Sequence, residues 1–103
     1  MIRVSVIYPN NPGSTFDMDY YLTKHMPMVG ARLKPALKAM TVDNGISGAL
    51  PGSGAPYRVI TTLSFESVET FQAAFIPYAA EIQGDIPNFT NIAPTVQISE
   101  VKI

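Results

Sequence analysis

Alternation of apolar and polar side chains, the period of a half-buried β-strand, predicts four strands in this chain. The alternation is clear over residues 2–8, 57–65 and 95–103, and it is weaker over residues 40–46. Pro9 ends the first strand, and a stretch rich in Gly, Pro and Ser over residues 48–56 predicts a loop before the third.

Between these strands, apolar residues three and four positions apart predict two helices. Asp17 is placed to cap the start of the first helix. Because Met26 precedes Pro27, it is disfavoured in the α-helical region, so this helix should kink near His25 and fade near Pro35.

The second helix is expected to begin after Ser67, a residue type that caps helices well. Its apolar stripe consists of Val68, Phe71, Phe75, Tyr78 and Ile82. Pro77 should bend this helix and Gly84 should end it, and residues 85–89 that follow show no regular pattern.

The predicted order β-α-β-β-α-β indicates an α+β, ferredoxin-like fold, with both helices on one face of an antiparallel sheet. We expect one domain over residues 1–103. The other sheet face would be bare, although Ile7 and Ile60 place apolar side chains on it. Only 15% of the residues are charged, against about 25% in a typical domain. Both observations predict a homodimer that packs sheet to sheet.

Composition excludes several classes of protein. The chain has no cysteine and one histidine, which excludes thiolate and multi-histidine metal sites and a cysteine nucleophile. A net charge of −1 leaves no basic stripe for nucleic acid. No apolar run reaches the length of a membrane span, and the amino terminus is typical of a strand rather than of a signal peptide. A soluble cytoplasmic protein is therefore expected.

The reactive side chains concentrate in residues 16–27. On a helix, Asp17, Tyr21 and His25 follow at intervals of one turn, so a carboxylate, a phenol and an imidazole share one ridge. An imidazole base beside a phenol donor can remove a proton and stabilise the anion that results. Simpler interpretations stand beside this one, because Asp17 is an ordinary N-cap and a lone histidine is often a structural residue.

Several short motifs occur in order along almost the whole chain: Tyr8-Pro9, Phe16-Asp17, Tyr20-Tyr21, His25-Met26-Pro27, Phe65-Glu66-Ser67, Asp85-Ile86-Pro87-Asn88-Phe89 and Gln97-Ile98-Ser99-Glu100-Val101. In these motifs the chain resembles the EthD family, small proteins named for ethyl tert-butyl ether degradation. The resemblance implies a dimeric α+β barrel, in which two ferredoxin-like subunits close their sheets into one barrel.

The resemblance also implies that ligands occupy the cleft between the helices and the sheet. It maps the tyrosine pair and the histidine onto Tyr20, Tyr21 and His25, with Asp17 at the head of the motif. The residues expected to be catalytic are His25, Tyr21 and Asp17, and those expected to bind substrate are Tyr20, Met28, Phe65 and Phe75. Ordinary core packing would explain the methionines and the aromatic stripe equally well.

Functions of different classes remain open at this point. The first is a small enzyme without metal or organic cofactor, of an oxidoreductase or isomerase type, that acts on an apolar cyclic or aromatic metabolite. Its reaction would begin with proton abstraction next to a carbonyl. The enzyme would be accessory to an oxidative degradation pathway. The alternative is a carrier that binds a hydrophobic small molecule without turnover and delivers it to a partner oxygenase. A purely structural role, with an inert His25, is the third.

Overall fold

The computed structural model describes residues 1–103 and contains four strands: β1 (Ile2–Pro9), β2 (Ala39–Asn44), β3 (Tyr57–Phe65) and β4 (Thr95–Glu100). They form one antiparallel sheet in the order β2-β3-β1-β4. Each helical segment connects two strands that are not neighbours, with a third strand between them. This is the ferredoxin-like α+β topology, so the fold class expected from the sequence is confirmed.

Two helical segments cover one face of this sheet. The first comprises α1 (Met18–Tyr20), a π-helical turn (Tyr21–His25) and α2 (Met26–Leu33). The second comprises α3 (Val68–Phe75), a 3-10 turn (Ile76–Tyr78), α4 (Ala79–Gly84) and a further 3-10 turn (Ile86–Asn88). Both expected caps are confirmed, because Asp17 and Ser67 accept hydrogen bonds from the backbone N–H groups of Tyr20 and Thr70. The expected bend at Pro77 coincides with the first 3-10 turn.

The kink expected near His25 takes the form of a π-helical turn. The N–H of Met26 bonds to the carbonyl of Tyr21, five residues earlier, where an α-helix would bond four residues back. Pro27 has no N–H and its ring crowds the carbonyl four residues before it, so a wider turn relieves that conflict. Such turns are frequent at functional sites.

Two strands are shorter than expected. The second ends at Asn44 rather than residue 46, and at the next residue, Gly45, the backbone lies so close to β3 that a Cβ atom would overlap the carbonyl oxygen of Tyr57. The last ends at Glu100 rather than residue 103, because Glu100 pairs with Ile2, the first residue of its partner strand β1. Residues beyond Glu100 therefore have no strand to pair with.

The main core lies between the helices and the sheet. Sheet residues such as Val4, Val59 and Phe65 pack there with Leu33 and Phe71 from the helices. On the opposite sheet face, Ile7 and Ile60 are directly paired, and no helix covers them. None of the helices has the length and apolar character needed to cross a membrane.

Candidate functional site

His25 and Asp85 meet where the two helical segments come together. His25 ends the π-helical turn, and Asp85 directly follows α4. The Nδ1 atom of His25 lies 2.8 Å from Oδ2 of Asp85. His25 is 4% exposed, so this contact is shielded from water on most sides.

Two further side chains hold the Asp85 carboxylate in place. Tyr20 donates its hydroxyl hydrogen to Oδ1 at 2.7 Å, and the Asn88 amide donates to the same oxygen at 2.9 Å. Partial burial raises the pKa of Asp85, but the hydrogen bonds from Asn88, Tyr20 and His25 outweigh it and hold that pKa below its usual value. Asp85 is therefore a carboxylate at neutral pH.

An ionised Asp85 determines which ring nitrogen of His25 carries the hydrogen. Only an N–H can donate to the carboxylate, so the neutral ring is protonated at Nδ1 and has its lone pair on Nε2. Nε2 has no hydrogen-bond partner in the protein. His25 lines a cavity, and Nε2 is the ring nitrogen that the contact with Asp85 leaves free to act as a base.

Two aromatic rings pack against the imidazole. Tyr21 stacks on it with ring centroids 5.4 Å apart and planes 14° apart. Phe89 contacts it with centroids 4.6 Å apart and planes 52° apart. The π-helical turn aligns the rings of Tyr21 and His25, so the shared face predicted for these two residues is confirmed. Packing against these two rings, which also contact each other with centroids 4.9 Å apart, fixes the ring orientation together with the Asp85 hydrogen bond.

The cavity lies between the helices and the sheet and has a volume of about 520 Å³. Twelve of its 16 lining residues are hydrophobic. They include Val4, Val6 and Leu63 from the sheet and Met26, Val29, Phe71, Phe75 and Ile82 from the helices. The volume is typical of sites that bind small molecules, and the lining suits an apolar ligand.

Hydroxyl groups gather on the sheet side of this cavity. The Tyr21 hydroxyl lies 2.5 Å from Oγ1 of Thr61 on β3, and Tyr8 on β1 lines the cavity beside them. Burial raises the pKa of Tyr8 and of Tyr21, and hydrogen bonding to Thr61 partly opposes that effect at Tyr21. Both phenols therefore stay neutral at physiological pH and keep a hydrogen to donate.

Four of the residues singled out from the sequence do not line the cavity: Asp17, Tyr20, Met28 and Phe65. Asp17 is exposed, and its Oδ1 caps the backbone N–H of Tyr20 at 3.1 Å rather than contacting His25. Tyr20 and Met28 line a shallow outer cleft of about 370 Å³, together with Lys24 and Asp85. Tyr20 thus contacts the site through Asp85 rather than through the cavity.

The two phenylalanines expected to bind substrate differ from each other. Phe75 lines the cavity, stacked on Phe71 with ring centroids 5.2 Å apart. Phe65 is fully buried and packs edge to face against Phe71 from the core side, outside the cavity lining. Within the helical stripe, Phe71, Phe75 and Ile82 therefore serve both the core and the cavity wall.

Sequence reasoning did not single out Asp85, Tyr8, Thr61 or Phe89 as site residues. Asp85 and Phe89 belong to the motif of residues 85–89 that carries the family resemblance, which was the available signal. Tyr8 belongs to another of those motifs, Tyr8-Pro9, whereas Thr61 had no signal beyond its place in an alternating strand. No group of three or more His, Asp or Glu side chains is arranged to hold a metal ion.

A comparison with known protein families matches most of the chain. The model of the EthD domain matches residues 14–93, which is most of the chain. The chain belongs to the EthD family. The matched segment of this EthD chain contains Tyr21, His25 and Asp85, whereas Tyr8 lies before it. No curated protein matches the chain.

Solved structures extend the comparison. An EthD-like protein from Ralstonia eutropha JMP134 is 44% identical, with 99% of this chain and 92% of that chain covered and a TM-score of 0.94. An EthD family protein from Bacillus halodurans C-125 is 20% identical, with 99% of each chain covered and a TM-score of 0.75. HapK from Hahella chejuensis is 13% identical, with 99% and 93% covered and a TM-score of 0.60. The last two show a shared fold.

Proposed function

We propose that this EthD protein is a cofactor-independent enzyme that acts on an apolar cyclic or aromatic metabolite by removing a proton next to a carbonyl. One observation carries the proposal. A buried imidazole, oriented by a carboxylate at 2.8 Å and with Nε2 unpaired, lines a predominantly hydrophobic cavity. That arrangement is the one a general base requires, with its lone pair directed at the ligand and its other nitrogen held from behind.

The proposed step moves one proton and one electron pair. Nε2 of His25 takes the proton from the carbon beside the carbonyl, and the electrons of that C–H bond move onto the carbonyl oxygen as an enolate. The imidazolium that forms is stabilised by Asp85, and the Tyr21 hydroxyl donates to the enolate oxygen. The orienting role first expected of Asp17 is assigned here to Asp85.

The enolate is the branching point for the reaction types considered. Return of the proton from His25 to a different carbon gives an isomerisation. Loss of a leaving group or attack on a second carbonyl gives a dehydration or a cyclisation. Addition of molecular oxygen to the carbanion gives an oxygenation, in which O₂ is the oxidant. All of them share the first step, so a test of that step does not need the natural substrate.

Deuterium exchange tests the first step directly. 2-Tetralone, 1-indanone and cyclohexanone are apolar cyclic ketones of decreasing size, and the loss of their α-hydrogens in D₂O is followed by proton NMR. We expect the wild type to accelerate exchange for the ketone that fits the cavity and His25→Gln to abolish it. Glu81→Gln is the matched control, because Glu81 is an exposed carboxylate on α4 that pairs with Arg32 instead of His25.

Two results would overturn the enzyme proposal. A ketone that binds but exchanges no faster than in buffer would leave a carrier as the function. The predominantly apolar lining favours that alternative, in which the cavity shelters a hydrophobic compound for a partner oxygenase. Binding of none of the three ketones would exclude an apolar ketone as substrate.

We also propose that the protein is a homodimer through the sheet face that no helix covers. Ile7 and Ile60 pair at the centre of that face, on β1 and β3. Low charge over the whole chain supports the same conclusion. We expect a dimer in sedimentation experiments at micromolar concentration and a shift towards monomer for Ile60→Lys, whereas a wild-type monomer would contradict the proposal.

A further inference from the structure

Tyr8 is a fully buried side chain to which the proposed step gives no role. It is 2% exposed on β1 and lines the same cavity as His25. Its ring makes edge contacts with Phe16, Tyr21 and Phe89, with centroids 5.1, 6.1 and 6.1 Å away. Three aromatic neighbours hold the ring in one orientation, so the position of its hydroxyl is fixed as well.

Three hydroxyl groups, those of Tyr8, Tyr21 and Thr61, lie together on the sheet side of the cavity. Tyr21 and Thr61 share one hydrogen bond, whereas the Tyr8 hydroxyl has no hydrogen-bond partner in the protein. The bond between Tyr21 and Thr61 uses one of the three hydroxyl hydrogens. The O–H group of Tyr8 is therefore left to donate to a ligand.

Charge is the second constraint on the ligand. No Lys, Arg, Asp or Glu lines the cavity, and the Asp85 carboxylate contacts the His25 ring that does line it. An anionic ligand group would lose its hydration here without gaining a cation, and the Asp85 carboxylate would repel it. A neutral oxygen, in contrast, needs only the surplus hydroxyl hydrogen.

We propose that Tyr8, together with Tyr21, forms the binding site for the oxygen of an uncharged carbonyl, enol or phenol ligand. Carboxylates, phosphate esters and coenzyme A thioesters are excluded by the same arrangement. This proposal deepens the proposed function and rests on it, because it assigns the ligand to the same cavity. Its new content is the charge class of the substrate and the role of Tyr8.

Equilibrium binding of three probes with one shared ring system tests the proposal: 2-naphthol, naphthalene and naphthalene-2-carboxylate at pH 7, titrated by fluorescence. We expect 2-naphthol to bind about fivefold more tightly than naphthalene and at least about tenfold more tightly than the carboxylate. Tyr8→Phe should remove most of the preference for 2-naphthol over naphthalene. Tyr78→Phe is the matched control, because Tyr78 packs near Arg32 and does not line the cavity.

Naphthalene also reports whether the cavity of the variant is intact. Unchanged naphthalene binding with weaker 2-naphthol binding supports the role of Tyr8, whereas an equal loss for both probes overturns it. If Tyr8→Phe does not fold, the measurements on the wild type still test the proposal. Binding of naphthalene-2-carboxylate as tight as that of 2-naphthol would overturn the proposal that the ligand is uncharged.

The two proposals fail in different ways. Selective binding of 2-naphthol without deuterium exchange of any ketone would overturn the proposal of an enzyme and support the binding site for a neutral oxygen. Ketone exchange that His25→Gln abolishes and Tyr8→Phe leaves unchanged, with unchanged 2-naphthol binding, would overturn the oxygen site and keep the enzyme.

Discussion

The Nδ1 atom of His25 lies 2.8 Å from Oδ2 of Asp85, although 60 residues separate them along the chain. His25 belongs to the helical segment between β1 and β2, and Asp85 follows the helical segment between β3 and β4. Each half of the fold thus contributes one partner. The contact fixes the hydrogen on Nδ1 and leaves the lone pair of Nε2 free.

Asp85→Asn should lower the rate of deuterium exchange far more than ligand affinity. An amide keeps the size of the side chain but not the charge that stabilises the imidazolium. The expected loss of rate is about 100-fold or more, with the affinity for the ketone within a few-fold of the wild type. NMR exchange rates and binding titrations measure the two quantities separately.

Glu81→Gln provides the comparison, since it removes an exposed carboxylate four residues earlier on α4. It should leave the exchange rate unchanged. Equal activity of Asp85→Asn and the wild type would remove the carboxylate from the mechanism.

Stability at acid pH should depend on Asp85 in a defined direction. Its pKa is lower in the folded protein than in the unfolded chain, so the ionised carboxylate stabilises the fold above the ordinary carboxyl pKa. This contribution is lost as the pH falls from the ordinary pKa, about 4, through the folded value. The unfolding free energy of the wild type should therefore fall more steeply than that of Asp85→Asn in this range.

Denaturant unfolding from pH 6 to pH 2 measures both curves. Glu81 also has a lowered pKa, because Arg32 hydrogen bonds to it, so it contributes to the acid loss of both proteins. The difference between the two curves isolates Asp85. Parallel curves would mean that the pKa of Asp85 is the same in the folded and unfolded states, which would contradict the prediction.

Pro27→Ala should favour an ordinary α-helix over the π-helical turn. Alanine supplies the missing N–H and removes the ring that crowds the preceding turn. His25 would then rotate relative to Tyr21, so we expect slower exchange with stability equal to or above that of the wild type. Deuterium exchange of the ketone measures the rate, and denaturant unfolding measures the stability. An exchange rate of Pro27→Ala equal to that of the wild type would show that tertiary contacts alone hold the π-helical turn.

Tyr21→Phe should cost both stability and rate, for different reasons. It leaves the buried Thr61 hydroxyl without its partner at 2.5 Å, which costs about 1–3 kcal/mol. It also removes a donor to the enolate, which should slow exchange by at least about tenfold. Measurements of unfolding and exchange on the same preparation separate the two effects.

The double variant Tyr21→Phe with Thr61→Val distinguishes these causes. Replacing both partners by apolar groups of similar shape removes the unpaired hydroxyl, so much of the stability should return while exchange stays slow. Recovery of both the stability and the exchange rate in the double variant would show that Tyr21 acts only as a structural residue.

Patterns within short stretches of the sequence predicted the strands and helices of this fold, and they predicted Tyr21 and His25 of the site. Caps at Asp17 and Ser67, the bend at Pro77 and the shared face of Tyr21 and His25 all depend on residues within one helical turn. Such interactions are encoded in short spacings, which a single sequence displays.

The remainder of the site depends on contacts between distant segments. Asp17 has the helical spacing of a site residue, but its extended backbone at ψ 92° places it outside the helix as a cap. Asp85 reaches His25 only after the two helical segments pack together on the sheet. Tyr8 resembles any buried strand residue until the hydroxyls of Tyr21 and Thr61 are placed beside it.

The chain contains a single histidine, and that residue joins the two halves of the fold. Its ring protons therefore give resonances that need no assignment by mutagenesis. Beside the rings of Tyr21 and Phe89, those resonances experience ring currents that disappear when the halves separate. One isolated spectroscopic signal thus reports protonation, ligand occupancy and the cooperative folding of the whole chain.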